Sequence, residues 1–559
     1  MSVSNIDEES TILFDSSKEQ DINSDRSDSF ELDNLSDQDG EARQTFIQNN
    51  ERQSDVFDFD DHLIPLALTE IRRHPTNLEK EVTFFNGLTL VIGSIIGSGI
   101  FASPGPVVLH AGSVGMSLVV WLICGLLACT GALTYAELGS EIPISGGEHA
   151  YLSHAYGSLP AFLFSWTAIT CLKPGGNAII AVIFAEYLNR IIYHTAFESE
   201  ESHPSPSTHN ILIKIVAIIC VIVISLINTY SVRLATRTQD LFTAIKLITL
   251  FVIAIIGFVV LGRGGMTTNF DGDLFAGSSH RMSDYALAFY SGLWAYDGWN
   301  TVNVIAGEMK NPSRDLPRII MVGLPIVIIF YLLSNVAYYA VLPSSIVKQT
   351  NTIALDFGRK MFGPIGGILF ALCVAASCFG AANGGVFTGS RLIYVAGREG
   401  YLPALFGKVH DKWNTPTAAL IMQATLTIIM IIPGSFIGLL NFVSVAGWVF
   451  YFLTSFGLFI LRWREPNLER PFRVWLITPT IFCCVAIFLV FMPFTRVPLE
   501  SLFALGFILT GVPFWYVRVK CKESFTTEAF KSYLNNVNAT VNSWRFRHKY
   551  SKQEVIEMT

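Results

Sequence analysis

Two glycines flanking a serine interrupt an apolar stretch of membrane length. The stretch, residues 84–110, reads FFNGLTLVIGSIIGSGIFASPGPVVLH, with Gly97, Ser98 and Gly99 at its centre. A helix in lipid normally keeps its backbone hydrogen bonds internal because hydrocarbon offers no replacement partners. Glycine at this depth therefore predicts a helix that unwinds here and exposes its peptide groups to a polar ligand.

The exposed peptide groups of this first break could bind opposite charges. The N–H groups of Ser98, Gly99 and Ile100 would begin a new half-helix, whose dipole favours an anion such as a carboxylate. The carbonyl groups near Ile95 and Ile96 would end the preceding half-helix and suit an ammonium group. One break could therefore recognise both ends of an α-amino acid zwitterion.

The alternative for these glycines is helix packing. Gly93 and Gly97 are spaced as a small-residue packing face between membrane helices. Packing alone would leave Gly99, Pro104 and Pro106 unexplained, so we favour the ligand site.

A second interrupted segment, 290–308, reads YSGLWAYDGWNTVNVIAGE. An aspartate in a membrane span is costly and is a functional hypothesis by default. Asp297, which follows Ala295, could face an ammonium group or a cationic substrate side chain, or it could pair structurally with a lysine or with unwound N–H groups. Trp294 could cover the ligand as an aromatic gate. Asn300 could bridge the unwound backbone or form an ordinary interhelical hydrogen bond.

Two lysines also fall inside predicted spans. Lys246 lies within LFTAIKLITLFVIAIIG, where a fixed ammonium could replace a sodium ion, or could titrate and carry protons. Its depth in the span disfavours snorkelling towards an interface. Lys173 precedes Pro174, whose kink frees backbone partners, and we expect a structural role for this lysine.

The composition requires an integral membrane protein to position these residues. Hydrophobic residues make up 51% of the 559 residues and charged residues only 15%, which is too little charge to wet a soluble surface of this size. The apolar residues cluster into twelve runs of membrane length, so the sequence predicts an all-α protein with twelve transmembrane helices. The predicted spans are 84–110, 115–139, 157–193, 210–230, 240–262, 284–307, 318–342, 364–391, 416–433, 437–461, 475–493 and 499–517.

Three regions follow from this pattern. Residues 1–75 are acidic and polar, which predicts a disordered cytoplasmic tail, and no cleavable signal peptide is visible. Residues 80–520 form the predicted transporter-like core, and residues 521–559 a cytoplasmic C-terminal tail. No nucleophile–base set and no metal-ligand spacing stands out, so we expect neither an enzyme nor a cofactor.

Loop charge predicts the orientation. Basic residues concentrate in four connections that lie on the cytoplasmic side if both termini are inside. The opposite loops carry fewer, and 194–210 carries none. Spans one to five and six to ten would then form inverted repeats around the two interrupted helices. The basic residues of the four connections are Arg233, Arg237, Lys310, Arg314, Arg318, Arg391, Arg398, Lys408, Lys412, Arg462, Arg464, Arg470 and Arg473.

Four motifs together resemble the L-type amino acid transporters of the amino acid–polyamine–organocation superfamily. They are IGSIIGSGIF at 92–101, GLWAYDGWNTVN at 292–303, EMKNPSRDLP at 308–317 and SRLIYVAGREGYLP at 390–403. The resemblance covers roughly residues 80–520. It implies a LeuT-like 5+5 inverted repeat with discontinuous helices one and six, and sodium-independent amino acid transport, commonly by exchange.

The family pattern also implies roles for single residues. It places the substrate carboxylate at Ser98 and Gly99, and the ammonium group at Ile95 and the second break. Trp294 matches the aromatic gate, and Lys246 stands where sodium-coupled relatives place an ion. The segment around Asp297 is most similar to light subunits of exchangers for cystine and dibasic amino acids.

One departure concerns the partner. Animal light subunits bond to a single-span glycoprotein through a cysteine in the loop after the third span, and here the loop 194–210 has no cysteine. We therefore expect no disulfide-linked heavy chain, and a stand-alone permease of the fungal type. The substrates expected are L-amino acids, lipid surrounds the protein, and no nucleic acid partner is expected.

Transport by alternating access is the leading hypothesis, with neutral substrates and, through Asp297, cationic ones. Exchange and proton-coupled transport both stay open. The alternative is an amino acid receptor that keeps the binding site but does not transport. We favour the plasma membrane, with the vacuolar membrane as the alternative compartment.

Overall fold

The computed structural model describes residues 83–517, with gaps at 143–146, 197–205, 231, 265–266, 305–308, 310, 399–400, 411–412, 414 and 468–469. Within these residues the protein is helical and contains no β-strand. The two predicted tails, 1–75 and 521–559, lie outside the described residues.

The helices follow the predicted spans closely. In chain order they are α1 Phe84–Ile95, α2 Gly99–Ala102, α3 Pro104–Ala111, α4 Val114–Glu141, α5 Glu148–Tyr156, α6 Ser158–Thr167, α7 Lys173–Ala196, α8 Pro206–Tyr230, α9 Val232–Gly262, α10 Met282–Ala295, α11 Thr301–Val304, α12 Pro312–Val341, α13 Ser344–Val347, α14 Ile353–Arg398, α15 Thr417–Ile431, α16 Phe436–Arg464, α17 Ile477–Phe491 and α18 Pro498–Trp515. A π-helical turn, Ala168–Leu172, joins α6 to α7, and a 3-10 turn, Met492–Thr495, follows α17.

The helix lengths establish a multi-pass membrane protein. Nine helical segments of the described chain are long and apolar enough to cross a bilayer, and the bent pair Gly87–Ala102 and Pro104–Ala111 makes a tenth. Two predicted spans fall outside this count, because α15 has 15 residues and α10 is interrupted before α11. The all-α membrane fold is therefore confirmed, whereas twelve spans stay a prediction.

The order of helices repeats along the chain. In both halves an interrupted helix precedes a long one: α1–α3 precede α4, and α10–α11 precede α12. Corresponding helices are neighbours, since α4 packs against α12 and α7 packs against α14. With five predicted spans in each half, the second half would start on the opposite side of the membrane, so the inversion of the repeats stays a prediction.

Local breaks differ from the prediction in two places. In the first span, Ile96–Ser98 leave the helix as expected, but the sharpest bend, 62°, follows Ala102. Pro104, which has no N–H to donate, explains this position. The expected kink at Pro174 is instead a widened π turn just before it. The predicted span 364–391 lies in the second part of α14, which begins directly after a kink at Gly363 (φ 71°).

A buried ion-pair cluster ties α4 to the connection between α16 and α17. Arg462 donates to both carboxylate oxygens of Glu137, at 2.8 and 2.6 Å, and the Val474 N–H donates to the same carboxylate at 2.7 Å. Glu141, one helical turn after Glu137 on α4, accepts a hydrogen bond from Arg470 at 2.7 Å. The Glu137 and Glu141 side chains are fully buried, so these bonds compensate charges that would otherwise be costly in the interior.

Candidate functional site

The two helix breaks lie against each other. A Cβ atom on Gly99 would lie 2.5 Å from Ala295 Cα and 2.8 Å from Ala295 Cβ, so only glycine fits at this contact. On the other side, Gly298 has φ +101° and would place a Cβ 3.0 Å from the Ser94 carbonyl. Close backbone approach is therefore what glycine contributes in both breaks.

The first break leaves three consecutive N–H groups without acceptors. Within the described part of the chain, the N–H groups of Ser98, Gly99 and Ile100 form no hydrogen bond, whereas Phe101 N–H bonds to Ser98 O at 3.1 Å and Ser103 N–H to Gly99 O at 2.8 Å. Buried donors without partners are rare because each costs free energy. This cluster of donors is therefore suited to an anionic group of a ligand.

Tyr331 joins the carbonyl ends of both breaks. Its hydroxyl lies 2.9 Å from the Ile95 carbonyl and 2.9 Å from the Ala295 carbonyl. A second link runs from Ser94 Oγ to the Gly298 carbonyl at 3.3 Å. The Ile95 carbonyl, which the sequence assigned to an ammonium group, thus already has one donor and keeps its second lone pair.

A cavity of about 720 Å³ opens where the breaks meet. Its volume suits a small-molecule ligand. Ile96 and Ile100 do not line it, and their side chains are buried in the core at 1% and 0% exposure. Their peptide groups, rather than their side chains, are what the sequence proposed for binding. The predicted residues that line the cavity are Ile95, Gly97, Ser98, Gly99, Trp294, Ala295, Asp297, Asn300, Lys173 and Lys246.

Both predicted lysines reach this cavity. Lys246 is 5% exposed, and its Nζ donates to the Gly93 carbonyl at 2.6 Å, which fixes α9 to the last turn of α1. Lys173 is exposed and also lines the cavity; the structural role expected for it stays a prediction. Both ammonium groups therefore place positive charge at the cavity wall.

The second break carries the acidic side of the cavity. Asp297 is exposed, and Tyr451 on α16 donates to its Oδ1 at 3.3 Å. Asn300 donates to the carboxylate of Glu148. Trp294 lines the cavity and packs edge-on against Phe436, with ring centroids 5.8 Å apart.

Glu148, Tyr331 and Tyr451 are three of the cavity and break residues that the sequence did not identify. Glu148 begins α5, is 7% exposed and lines the cavity. Burial raises the pKa of its carboxyl, against hydrogen bonds from its own backbone and from Asn300 that lower the pKa. The signal available in the sequence was a glycine, Gly147, before a short polar stretch; in the structure this glycine has φ +55°. Nothing in the sequence indicated that the following helix reaches the second break.

The cavity extends towards one side of the membrane only. Its lining includes Glu148 on α5, Phe162 near the start of α6, and Tyr401 after α14. The predicted topology places these residues at the cytoplasmic end, although the connection 140–156 is an exception that carries no Lys or Arg. On the other side of the breaks, Phe101 and Val107 are fully buried. The conformation is therefore open towards the predicted cytoplasmic face.

Comparison with known proteins identifies the same class of molecule. The model of the amino acid permease family matches residues 82–519. The chain is 42% identical over 448 residues to the b(0,+)-type amino acid transporter 1 of Mus musculus, covering 80% of this chain and 89% of that protein. The human cystine/glutamate transporter is 37% identical over 442 residues, covering 79% and 85%.

A third relative, the large neutral amino acids transporter small subunit 2 of Mus musculus, is 35% identical over 455 residues, covering 80% of this chain and 84% of that protein. All three relatives are named as transporters, which confirms the resemblance drawn from the four motifs and gives the receptor alternative no support. The fungal type of permease stays a prediction. The chain belongs to the amino acid permease family.

Proposed function

We propose that this protein transports L-amino acids across the membrane by alternating access. The observation that carries the proposal is the row of three unpaired N–H groups, Ser98 to Ile100, at a cavity where two interrupted helices meet. A substrate carboxylate would accept from these donors. The ammonium group of the substrate would donate to the Ile95 carbonyl, whose second lone pair Tyr331 leaves free, or to carbonyls of the second break.

The charges of the cavity favour neutral and cationic substrates. The carboxylates that line it are Glu148 and Asp297, and the ammonium groups are Lys173 and Lys246. Lys246 is held by a carbonyl at 2.6 Å, whereas Asp297 is exposed to the cavity. Asp297 is therefore the side chain best placed to attract a positive substrate group. The b(0,+)-type relative is likewise named as an amino acid transporter.

Lys246 supports transport that does not need sodium. Its ammonium group already bonds to the Gly93 carbonyl next to the first break. A sodium ion at this position would be repelled by the Lys246 ammonium group, because the low dielectric constant of the interior strengthens the interaction between the two charges. We therefore propose sodium-independent exchange, with proton coupling as the competing mode.

The sequence also supports a proposal for the partner and the compartment. The loop 194–210 contains no cysteine, so we propose that the protein works without a disulfide-linked heavy chain. The plasma membrane is the proposed location, with the vacuolar membrane as the alternative.

Uptake into proteoliposomes tests the proposal directly. Purified protein is reconstituted with or without internal unlabelled amino acid, and initial rates are measured for labelled leucine and arginine. We expect saturable uptake that needs internal amino acid and is unchanged when choline replaces sodium. No saturable flux in either loading state would defeat the transport proposal. Flux without internal substrate that follows a pH gradient would replace exchange by proton coupling.

The variant Asp297→Asn tests the role of this carboxylate. We expect arginine uptake to fall by at least tenfold while leucine uptake changes by less than twofold, because only the cationic side chain loses its counter-charge. Equal losses for both substrates would show that Asp297 supports the structure of the break instead.

A further inference from the structure

A segment that follows α12 packs against the outer end of the first interrupted helix. It comprises residues 343–362, which contain α13 and the first part of α14 up to the kink at Gly363. The predicted topology places it on the side opposite the cytoplasm. We call this segment the outer strap. Its Val347 is fully buried and its Thr350 is 6% exposed, so this part of the strap is packed against the protein.

The strap meets the first interrupted helix at a glycine. A Cβ atom on Gly105, in α3, would lie 2.3 Å from the Thr350 carbonyl oxygen and 2.8 Å from the Val347 carbonyl oxygen. Both neighbours are backbone atoms, which cannot rotate away as a side chain can. Only glycine therefore fits at this contact, where the backbones of α3 and the strap approach each other closely.

Hydrogen bonds also join the first span to the strap and to α7. Lys348 Nζ on the strap donates to the Gly112 carbonyl at 2.8 Å. The Tyr187 hydroxyl on α7 donates to the Phe101 carbonyl at 2.7 Å and accepts from the Ala354 N–H of the strap at 3.3 Å. Water can replace each of these partners, so the net cost of separating them is modest.

Arg190 anchors the strap to α7. Its Nη1 donates to Thr350 Oγ1 at 2.9 Å, to Asp356 Oδ2 at 3.0 Å and to the Thr352 hydroxyl. Thr350 Oγ1 in turn donates to Asp356 Oδ2 at 2.6 Å. The residue whose carbonyl touches Gly105 is therefore held in place by a charged pair that includes α7.

A backbone contact fixes the strap to the second part of α14 as well. A Cβ atom on Gly358 would lie 2.6 Å from the Gly366 carbonyl oxygen, which follows the kink. Because α7 and α14 also pack against each other, the strap is bound to both members of this pair. Its contact with α3 is then the interface that must separate when the outer side opens.

We propose that the contact between Gly105 and the strap carbonyls is the outer gate of the transport cycle. Arg190 is its positioning residue, because it holds Thr350 at the gate. The gate is closed in this conformation, which is open towards the predicted cytoplasmic face. Opening would move α3 away from the strap, while Arg190, Thr350 and Asp356 stay together. This inference rests on the alternating access proposed above.

A thiol probe on the strap tests the gate without requiring flux. Val347→Cys places a thiol at a fully buried position of the strap. Its labelling by a membrane-impermeant maleimide outside proteoliposomes is followed by mass spectrometry, with the protein that has only native cysteines as background. Adding Gly105→Ala should raise the labelling rate about fivefold or more, because the new methyl group opposes only the closed gate. An unchanged rate overturns the proposal.

A double-mutant cycle tests the role of Arg190. In the Val347→Cys protein, Arg190→Gln and Asp356→Asn should each raise the labelling rate about two- to fivefold, as expected for a partly exposed ion pair. Both changes remove the same interaction, so the double variant should label no faster than the faster single variant. An unchanged rate in both single variants, or a double variant that shows the product of the two increases, would refute the positioning role.

A matched glycine controls for the added methyl group. Gly262 ends α9 on the same predicted side of the membrane, and a Cβ there would meet nothing within 4 Å. Gly262→Ala should keep the labelling rate within twofold, and an increase equal to that of Gly105→Ala would overturn the proposal. The Arg190 and Asp356 variants keep the test decisive if Gly105→Ala does not elute as a single species.

Failure of the gate and failure of transport give different results. A wild-type protein without saturable uptake would defeat the transport proposal, whatever the labelling rates. Normal uptake combined with an unchanged labelling rate in Gly105→Ala would overturn the gate alone.

Discussion

The contact between the two helix breaks can be tested by adding one methyl group. In Gly99→Ala the new Cβ would lie 2.5 Å from Ala295 Cα, whereas ordinary contacts begin at 3.4 Å. The breaks would therefore have to separate by about 1 Å, and overpacking of this kind typically costs about 1–3 kcal/mol. If closure over the substrate needs this contact, that cost corresponds to a decrease of about 5- to 150-fold in transport rate.

The chain offers two matched controls for this substitution. In Gly97→Ala the Cβ would have only the Ile95 carbonyl within reach, at 3.8 Å, and in Gly176→Ala it would meet nothing within 4 Å. Both glycines line the same cavity, and neither has a positive φ. We expect both controls to keep transport within twofold of wild type.

The assay is the initial rate of leucine exchange in proteoliposomes, normalised to the amount of reconstituted protein. Melting temperatures in detergent are measured alongside, since a general loss of stability would lower the rate for another reason. A wild-type rate in Gly99→Ala would refute the reasoning, because the breaks would then tolerate the separation. Equal losses in the Gly97 and Gly176 variants would refute it too, by showing that any added methyl group in the cavity is harmful.

Three further predictions concern hydrogen bonds and charge. Tyr331→Phe should lower the exchange rate by roughly 2- to 13-fold, the value of one hydrogen bond, whereas Tyr338→Phe should change it little, because the Tyr338 hydroxyl has no partner in the described structure. Burial raises the pKa of Glu148, so this carboxyl loses its charge at a higher pH than an exposed one. As cytoplasmic pH falls, the ratio of arginine to leucine exchange should decrease in the wild type, and Glu148→Gln should show the low ratio at every pH; an unchanged pH profile in that variant would contradict this assignment. Glu137→Gln should lower the free energy of unfolding by about 3–5 kcal/mol, because it leaves Arg462 buried without its counter-charge, and a melting temperature equal to that of wild type would exclude this.

The sequence predicted the spans and both breaks because those features depend on local composition. Apolar runs of membrane length are sufficient to locate helices, and Gly97, Gly99 and Gly298 signal backbone that leaves a helix. The same local view separates the two parts of α14. Its first ten residues include Asp356, Arg359 and Lys360 and do not read as membrane-spanning, and the kink at Gly363 divides them from the predicted span 364–391.

Contacts between residues far apart in the chain could not be predicted from local composition. Glu148 and Asn300 are 152 positions apart, and no periodicity connects a short polar helix to a break in the other repeat. Among the tyrosines of α12, only Tyr331 reaches the breaks, while Tyr338 packs edge-on against Phe357. The difference depends on the rotation of α12 about its axis, which tertiary packing sets.

Tyr331 suggests why substrate binding can move both breaks together. Its single hydroxyl proton can be donated to only one of the two carbonyls, Ile95 or Ala295, at a time, although both lie 2.9 Å away. A substrate ammonium group that donates to the Ile95 carbonyl would let Tyr331 satisfy Ala295 continuously. The occupied site would then hold both carbonyls paired, whereas the empty site always leaves one of them without this donor. Gly99 allows the two breaks to stay in contact. The extra hydrogen bond of the occupied site can form only while the two interrupted helices stay together. The binding free energy of the substrate therefore depends on the helix arrangement that transport must change.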